Sequence, residues 1–228
     1  MEVTFLAVCI ILGAGERLGP RPVPRAGDTL IAADGGFRWC RELGLTPHLL
    51  IGDFDSFEGA LPQGIETIRL PVDKDDTDMS AALDAGWQRG CRRFHCYGGT
   101  GGRLDHTLAN LQLLAGLAQR GGIGLLFDRD CVATAIADGG SVSFPEGCTG
   151  TVSVFAAGGT ATGVWEEGLR FPLQDATLES TFPLGVSNCL EGARARISVA
   201  SGTLIILYPH GIEPRFDSSP SVFGGSSL

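Results

Sequence analysis

Apolar and polar positions change rhythm partway along this chain. In the first half, short runs of branched and apolar residues between turn signals predict strands at about Phe5 to Leu12, Thr29 to Ala33, His48 to Ile51, Thr67 to Leu70, Phe94 to Tyr97 and Ile123 to Phe127. Between them the period lengthens to that of a helix. From Asp78 onward Met79, Ala82, Leu83, Gly86 and Trp87 recur at helical spacing, and after Arg103 so do Leu104, Leu108, Leu111 and Ala115. On this second helix the leucines are expected on one face, with Arg103, His106, Thr107 and Asn110 on the other. The alternation implies a mostly parallel sheet covered on both sides. After about Asp130 the texture shifts to short alternating segments with frequent Gly and Thr. These lie at Val132 to Ala137, Ser141 to Phe144, Thr151 to Phe155, Arg194 to Val199 and Thr203 to Tyr208, an all-β signature. The expected organisation is an α/β domain over residues 1–138, an all-β domain over 139–216 and a mobile Ser/Gly-rich tail over 217–228.

Composition narrows the class. At 43% apolar and 19% charged residues the chain has the balance of a globular protein and not of a disordered one. The apolar run from Val3 to Leu12 is too short to span a bilayer and lacks a basic flank before it, so it reads as a buried strand, with neither membrane segment nor signal peptide expected. Seven cysteines without a C-x-x-C pair suit buried, reduced thiols and a cytoplasmic location. A net charge of -9 argues against nucleic acid as a partner, and a phosphate ligand would need a metal as intermediary.

The candidate chemistry sits where sheet-to-helix turns should fall. The run Leu49-Leu50-Ile51 stops on Gly52-Asp53-Phe54-Asp55, and if the strand continued, Asp53 and Asp55 would point the same way and could share a hard cation such as Mg²⁺. Asp73, Asp75, Asp76 and Asp78 crowd the start of the next helix. Capping and the helix dipole, worth about 0.3–1 kcal/mol per charge, explain one or two of these acids but not four. Like charge at that density is repulsive without a cation, and Asp75 and Asp78 are expected to face the site. Asp34-Gly35-Gly36 follows the second strand as a tight turn or a ligand approach. After the fifth, Gly98-Gly99-Thr100-Gly101-Gly102-Arg103 opens a helix as a candidate phosphate cradle, matching neither a Walker A loop nor a dinucleotide fingerprint. Arg103 in a first turn opposes the dipole and so suggests an anionic ligand. His106 is either a general acid or base or a histidine hydrogen-bonded between helix and sheet.

Taken together, Ala33-Asp34-Gly35-Gly36, Gly52-Asp53-Phe54-Asp55-Ser56, Lys74-Asp75-Asp76-Thr77-Asp78 and Gly98 to Thr107 resemble the thiamine pyrophosphokinase family in order and spacing. Gly168-Leu169-Arg170-Phe171-Pro172-Leu173 and Gly185-Val186-Ser187-Asn188 extend the resemblance over nearly the whole chain. The resemblance implies pyrophosphoryl transfer from ATP to thiamine, giving thiamine diphosphate and AMP, with Mg²⁺ as cofactor. It implies a Rossmann-like α/β nucleotide domain, a C-terminal β-sandwich domain, and a homodimer whose thiamine sites are shared between subunits. Carried over by position, Asp53, Asp55, Asp75 and Asp78 would be catalytic and hold the metal. Asp34, Lys74, Gly101, Gly102, Arg103 and His106 would bind the nucleotide, and Ser187 with Asn188 the thiamine. Rival readings are a metal-dependent phosphate hydrolase and a non-catalytic thiamine or nucleotide sensor on the same fold.

Overall fold

The apolar runs at the start of the chain pair as parallel strands, and their register decides which helix covers which face. The structure is a computed structural model that describes residues 7–54, 62–71 and 76–217. It is mixed α/β and divides into two units, residues 1–114 with 124–133 and residues 115–123 with 134–228. In chain order, β1 (Cys9–Leu12) is followed by β2 (Thr29–Ala33), α1 (Gly36–Leu43), β3 (Leu49–Gly52), β4 (Glu66–Arg69), α2 (Asp78–Gln88), β5 (Arg93–Tyr97), α3 (Leu104–Gln119) and β6 (Ile123–Phe127). The strands lie in the order β6-β5-β1-β2-β3-β4, with β1 parallel to both β2 and β5.

Because side chains alternate along a strand, the pairing of Cys9 with Phe94 and Ile11 with Cys96 puts these four on one face. There α2 closes in so tightly that a Cβ on Gly86 would sit 2.8 Å from Cys9 Sγ and Phe94 Cε1. On the other face Ile10, Leu12, Leu30, Leu50 and Tyr97 pack with Phe37, Trp39 and Cys40 of α1. Burial on both faces is why these strands carry continuous apolar runs. The cost of charging a thiol there pushes Cys96 up to about 12, which leaves it an inert packing group. Strand β4 is the edge, exposed and charged, with Glu66 bonded to Arg89 at 2.5 Å.

The helices begin and end on local chemistry. Thr77 Oγ1 accepts from Ser80 N at 3.2 Å to cap α2, and α1 stops at Gly44, whose left-handed φ of 68° lets its N–H reach back to Arg41 O. One packing expectation fails on α3. Leu104 is 71% exposed and Leu108 55%, while the buried positions are Asn110, Leu114, Ala115 and Leu117. Leu104 and Leu108 in the first two turns face away from the core, so periodicity alone mislabels them.

The second unit is built around one long strand. Beyond β7 (Cys131–Ala137) and β8 (Ser141–Phe144), β9 runs from Thr149 to Glu167, followed by β10 (Leu173–Glu179), β11 (Gly185–Glu191), β12 (Ala195–Ser198), β13 (Ser201–Pro209) and β14 (Arg215–Asp217). The first part of β9 pairs antiparallel with β11 and β13, its last part with β10 and β12. Gly158 and Gly159, at φ 72° and 142°, occupy the change of partners, where a β-carbon would be strained. Sequence patterning finds only Thr151 to Phe155 of this strand, because Ala-Gly-Gly-Thr resembles a turn. It passes over β10 and β11 as well, whose register breaks beside Asp175 and Ser187, both at positive φ, blur the alternation. The expected tail beyond Asp217 and the start of the first run, residues 1–6, lie outside the described residues. Among the described residues no helix is long and apolar enough to cross a membrane.

Two glycine substitutions separate close contact from open space. A Cβ on Gly36 would lie 1.8 Å from Leu12 O, so Gly36→Ala forces α1 off β1 and is expected to cost at least about 3 kcal/mol in urea unfolding. Gly116 in α3 meets nothing within 4 Å, so Gly116→Ala should gain about 0.5–1 kcal/mol by the same measurement.

Candidate functional site

Strand order creates the site. The chain steps outward from β1 through β2 and β3 to β4, then returns to lay β5 on the opposite side of β1. At that reversal the connections leaving β1 and β5 diverge, and a crevice opens at their carboxyl ends, the place where open parallel sheets take ligands. A cavity of about 480 Å³ lies there. Its floor is two glycine-rich turns, Gly13-Ala14-Gly15-Glu16 after β1 and Gly98, Gly99, Gly101 and Gly102 after β5, and its walls include Asp34, Thr77, Asp78, Met79, Arg103, His106 and Asn110.

The two turns hold each other. Gly13 N donates to Tyr97 O at 2.8 Å and Gly15 N to Gly98 O at 2.9 Å. A Cβ on Gly15 would meet Gly98 O at 2.6 Å, and one on Gly98 would meet Gly13 O at the same distance. Only bare backbone fits on both sides. Asp34 adopts φ 46°, fixed by its N–H on Ile51 O at 2.7 Å, and this strained backbone carries its side chain at the cavity wall.

Of the residues expected from sequence, Asp34, Asp78, Gly101, Gly102, Arg103 and His106 come together around this cavity. Asp53 lies just past the end of β3 and does not line it. The strand that was expected to carry Asp53 and Asp55 in one direction ends at Gly52, and buried Phe54 has φ 58°, outside strand geometry. Asp55, Lys74 and Asp75 lie outside the described residues. Gly13 to Glu16 and Met79 join the site without having been expected there from the sequence. The signal for the former was present, because β1 ends in Gly-Ala-Gly-Glu much as β5 ends in glycines.

Arg103 is exposed and its guanidinium is oriented by its neighbour: Nε and Nη2 bond Asp105 Oδ1 and Oδ2 at 3.1 and 2.5 Å. The same pairing holds the Asp105 carboxyl down to about 2. With five donors in a planar fork, Arg103 keeps its remaining N–H groups for another anion. Among the described residues no three acidic, cysteine or histidine groups gather closely enough to form a metal cage. Asp34 and Asp78 nevertheless fit Mg²⁺, a hard ion that is held by one or two carboxylates with the rest of its shell from phosphate oxygens and water.

In the second unit, Ser187 and Asn188 lie on β11 and differ sharply. Ser187 is exposed at φ 62°. Asn188 is buried and its amide is fully engaged: Nδ2 donates to Glu166 Oε2 and Phe171 O, both at 2.7 Å, while Oδ1 accepts from Phe171 N at 2.9 Å and Cys189 N at 2.8 Å. It fastens the turn at Phe171 to β11 and has no hydrogen-bonding capacity left over for a ligand. Glu166 is fully buried, its Oε1 has no partner among the described residues, and burial raises its pKa while the Asn188 bond lowers it in part.

Residues 24–123 match the family model described as thiamin pyrophosphokinase, catalytic domain, and residues 141–204 match thiamin pyrophosphokinase, vitamin B1 binding domain. Thiamine pyrophosphokinase of Bacillus subtilis (strain 168) is 35% identical over 89 residues, 37% of this chain, and the match spans 42% of that protein's length. Among solved structures, the thiamine pyrophosphokinase of Bacillus subtilis superposes with a TM-score of 0.77 at 23% identity, covering 90% of this chain and 99% of that one. The thiamin pyrophosphokinase of Geobacillus thermodenitrificans gives a TM-score of 0.76 at 27% identity, covering 94% and 99%. The enzyme from Candida albicans shares the fold at a TM-score of 0.70 and 13% identity, covering 90% and 89%.

The buried carboxyl makes a signed prediction. Since the folded pKa of Glu166 lies above its ordinary value of 4.5, the native state retains a proton that the unfolded state has released. Stability should therefore fall as pH rises from about 4.5 through the raised value, and Glu166→Gln should flatten that slope. Urea unfolding of both proteins between pH 4.5 and 8 measures it, and parallel profiles would contradict it.

Proposed function

The chain belongs to the thiamin pyrophosphokinase family, and we propose from that premise that it transfers the pyrophosphoryl group of ATP to the hydroxyethyl oxygen of thiamine, giving thiamine diphosphate and AMP. The observation that carries this reading is the cavity at the sheet's reversal point, which sets a glycine cradle, Arg103, and the carboxylates of Asp34 and Asp78 around one space. Attack of an alcohol on the β-phosphorus needs alignment and charge neutralisation more than covalent help from the protein. In our reading the amides of Gly98 to Gly102 receive phosphate oxygens and Arg103, oriented by Asp105, adds charge-assisted bonds to them. Asp78, at the start of α2, takes the alcohol proton and Asp34 faces the same phosphates, while Asp53, Asp55 and Asp75 are metal-holding residues by family resemblance alone. Bound Mg²⁺ would neutralise the phosphate charge that these carboxylates otherwise repel.

We read residues 1–138 as a Rossmann-like nucleotide domain and 139–216 as a β-sandwich that binds thiamine and dimerises, with each thiamine site shared between two copies. Support comes from the strand order about β1, from the two sets of strands that β9 joins, and from the match of residues 141–204 to a vitamin B1 binding domain. Ser187 is the thiamine contact in this scheme and Asn188 its anchor. The seven unpaired cysteines support a reducing, cytoplasmic setting.

Purified protein with ATP, Mg²⁺ and thiamine should yield thiamine diphosphate and AMP in equal amounts by mass spectrometry. Release of inorganic phosphate that ignores thiamine would indicate a hydrolase, and ligand binding without turnover a sensor. Asp78→Asn should lower kcat at least about a hundredfold. Arg103→Ala should raise KM for ATP about tenfold or more, the loss of one charged hydrogen bond, and leave KM for thiamine within about twofold.

A further inference from the structure

The glycine turn after β5 is held from behind at three successive residues. Gly98 O accepts from Gly15 N at 2.9 Å, Gly99 O accepts from Asn110 Nδ2 at 2.7 Å, and Thr100 Oγ1 donates to Asp128 Oδ1 at 2.8 Å. Among the described residues the amides of Gly99, Thr100, Gly101 and Gly102 donate to nothing. The turn is thus polarised, with two of its carbonyls tied away and its N–H groups unspent. Two of these holds, from Gly15 and Thr100, are made by residues of the turns themselves or beside a strand end. The third comes from a helix. Asn110 sits at the second turn of α3, is 7% exposed, and is the one buried polar side chain of that helix that both borders the cavity and bonds the turn.

We propose that Asn110 is a positioning residue for the nucleotide: by drawing the Gly99 carbonyl out of the cavity it keeps the following amides aimed at the phosphates. The need for it is electrostatic. A peptide at Gly99 has little steric preference, and rotated the other way it would present a carbonyl oxygen to a phosphate oxygen, replacing an attraction with a repulsion. Gly99 has no freedom to be replaced by a stiffer residue, because a Cβ there would lie 2.7 Å from Leu126 Cδ1 and 3.0 Å from Asn110 Nδ2. The orientation of this peptide therefore depends on a hydrogen bond from outside the turn. Asn110 touches no phosphate in this scheme and acts through the backbone.

The proposal rests on the reading of the cavity as the nucleotide site, and its test is chosen to keep the two apart. Asn110→Asp is nearly isosteric but turns the donor into an acceptor facing Gly99 O, whereas Asn110→Ala removes the bond and leaves the shape of the helix. Calorimetric titration with Mg²⁺·ATP and steady-state kinetics are run on wild type and both variants. At pH 8 the expected result is ATP affinity weakened about tenfold or more in Asn110→Asp and less in Asn110→Ala, with KM for thiamine changed by less than about twofold. On lowering the pH, Asn110→Asp alone should recover relative to wild type, since a protonated carboxyl can again donate to Gly99 O. Glu16, Asp34, Asp78, Arg103 and His106 also border the cavity and Asp128 bonds the turn through Thr100, but they are common to all three proteins and cancel in that ratio. Thermal unfolding identifies a variant that does not fold, and the other variant then decides. Wild-type affinity in a folded variant, or equal losses for ATP and thiamine, overturns the proposal while leaving the enzyme's function intact. Failure of the wild type to bind ATP overturns the nucleotide reading itself, and the proposal with it.

Discussion

Main chain meets main chain at the carboxyl ends of β1 and β5, and the arrangement of the first unit follows from that contact. Gly13, Gly15 and Gly98 approach with no side chain between them, and α1 abuts the same point through Gly36 against Leu12 O. Such an approach is possible only where several residues lack a β-carbon at once. The return is a cavity whose floor is backbone, with N–H groups able to reach a ligand directly. Because the floor is backbone, what must be specified is peptide orientation, and that is left to hydrogen bonds from residues behind it.

Charge around this floor is handled by pairing and spacing. The chain is acidic overall, yet the site proposed for a highly charged anion contains Asp34, Asp78 and Glu16. Glu16 faces Arg129 at 3.6 Å and Asp105 faces Arg103, so part of the negative charge is already offset. Both pairs are exposed, so water and salt screen them and they add little to stability. Their effect is to orient guanidinium groups beside the cavity.

The second unit solves a different problem, holding a surface turn in place. Asn188 uses both halves of its amide to grip Phe171 through N–H and carbonyl together, and buried Glu166 fixes which way that amide faces. Asn188, expected from the family resemblance to contact thiamine, serves here as a structural clasp. Ser187 lies next to it, at positive φ on the exposed side.

Much was legible in the sequence by itself. The apolar runs gave β1 to β6 within a few residues, because strands buried on both faces require such runs. Asp34, Asp78 and the Gly98 to Arg103 turn were recognisable, since tight turns and helix starts carry local composition. The neighbours of these residues in space were decided by tertiary structure. Gly13 to Glu16 joins the site only because β5 is inserted beside β1, and strand order is a long-range pairing that local periodicity does not encode. The exposure of Leu104 and Leu108, the bend that keeps β9 one strand through two glycines, and the saturation of the Asn188 amide likewise depend on what packs against each residue. A pattern of residue types states what each group can do, whereas which partner has already claimed it is fixed only when the chain is folded.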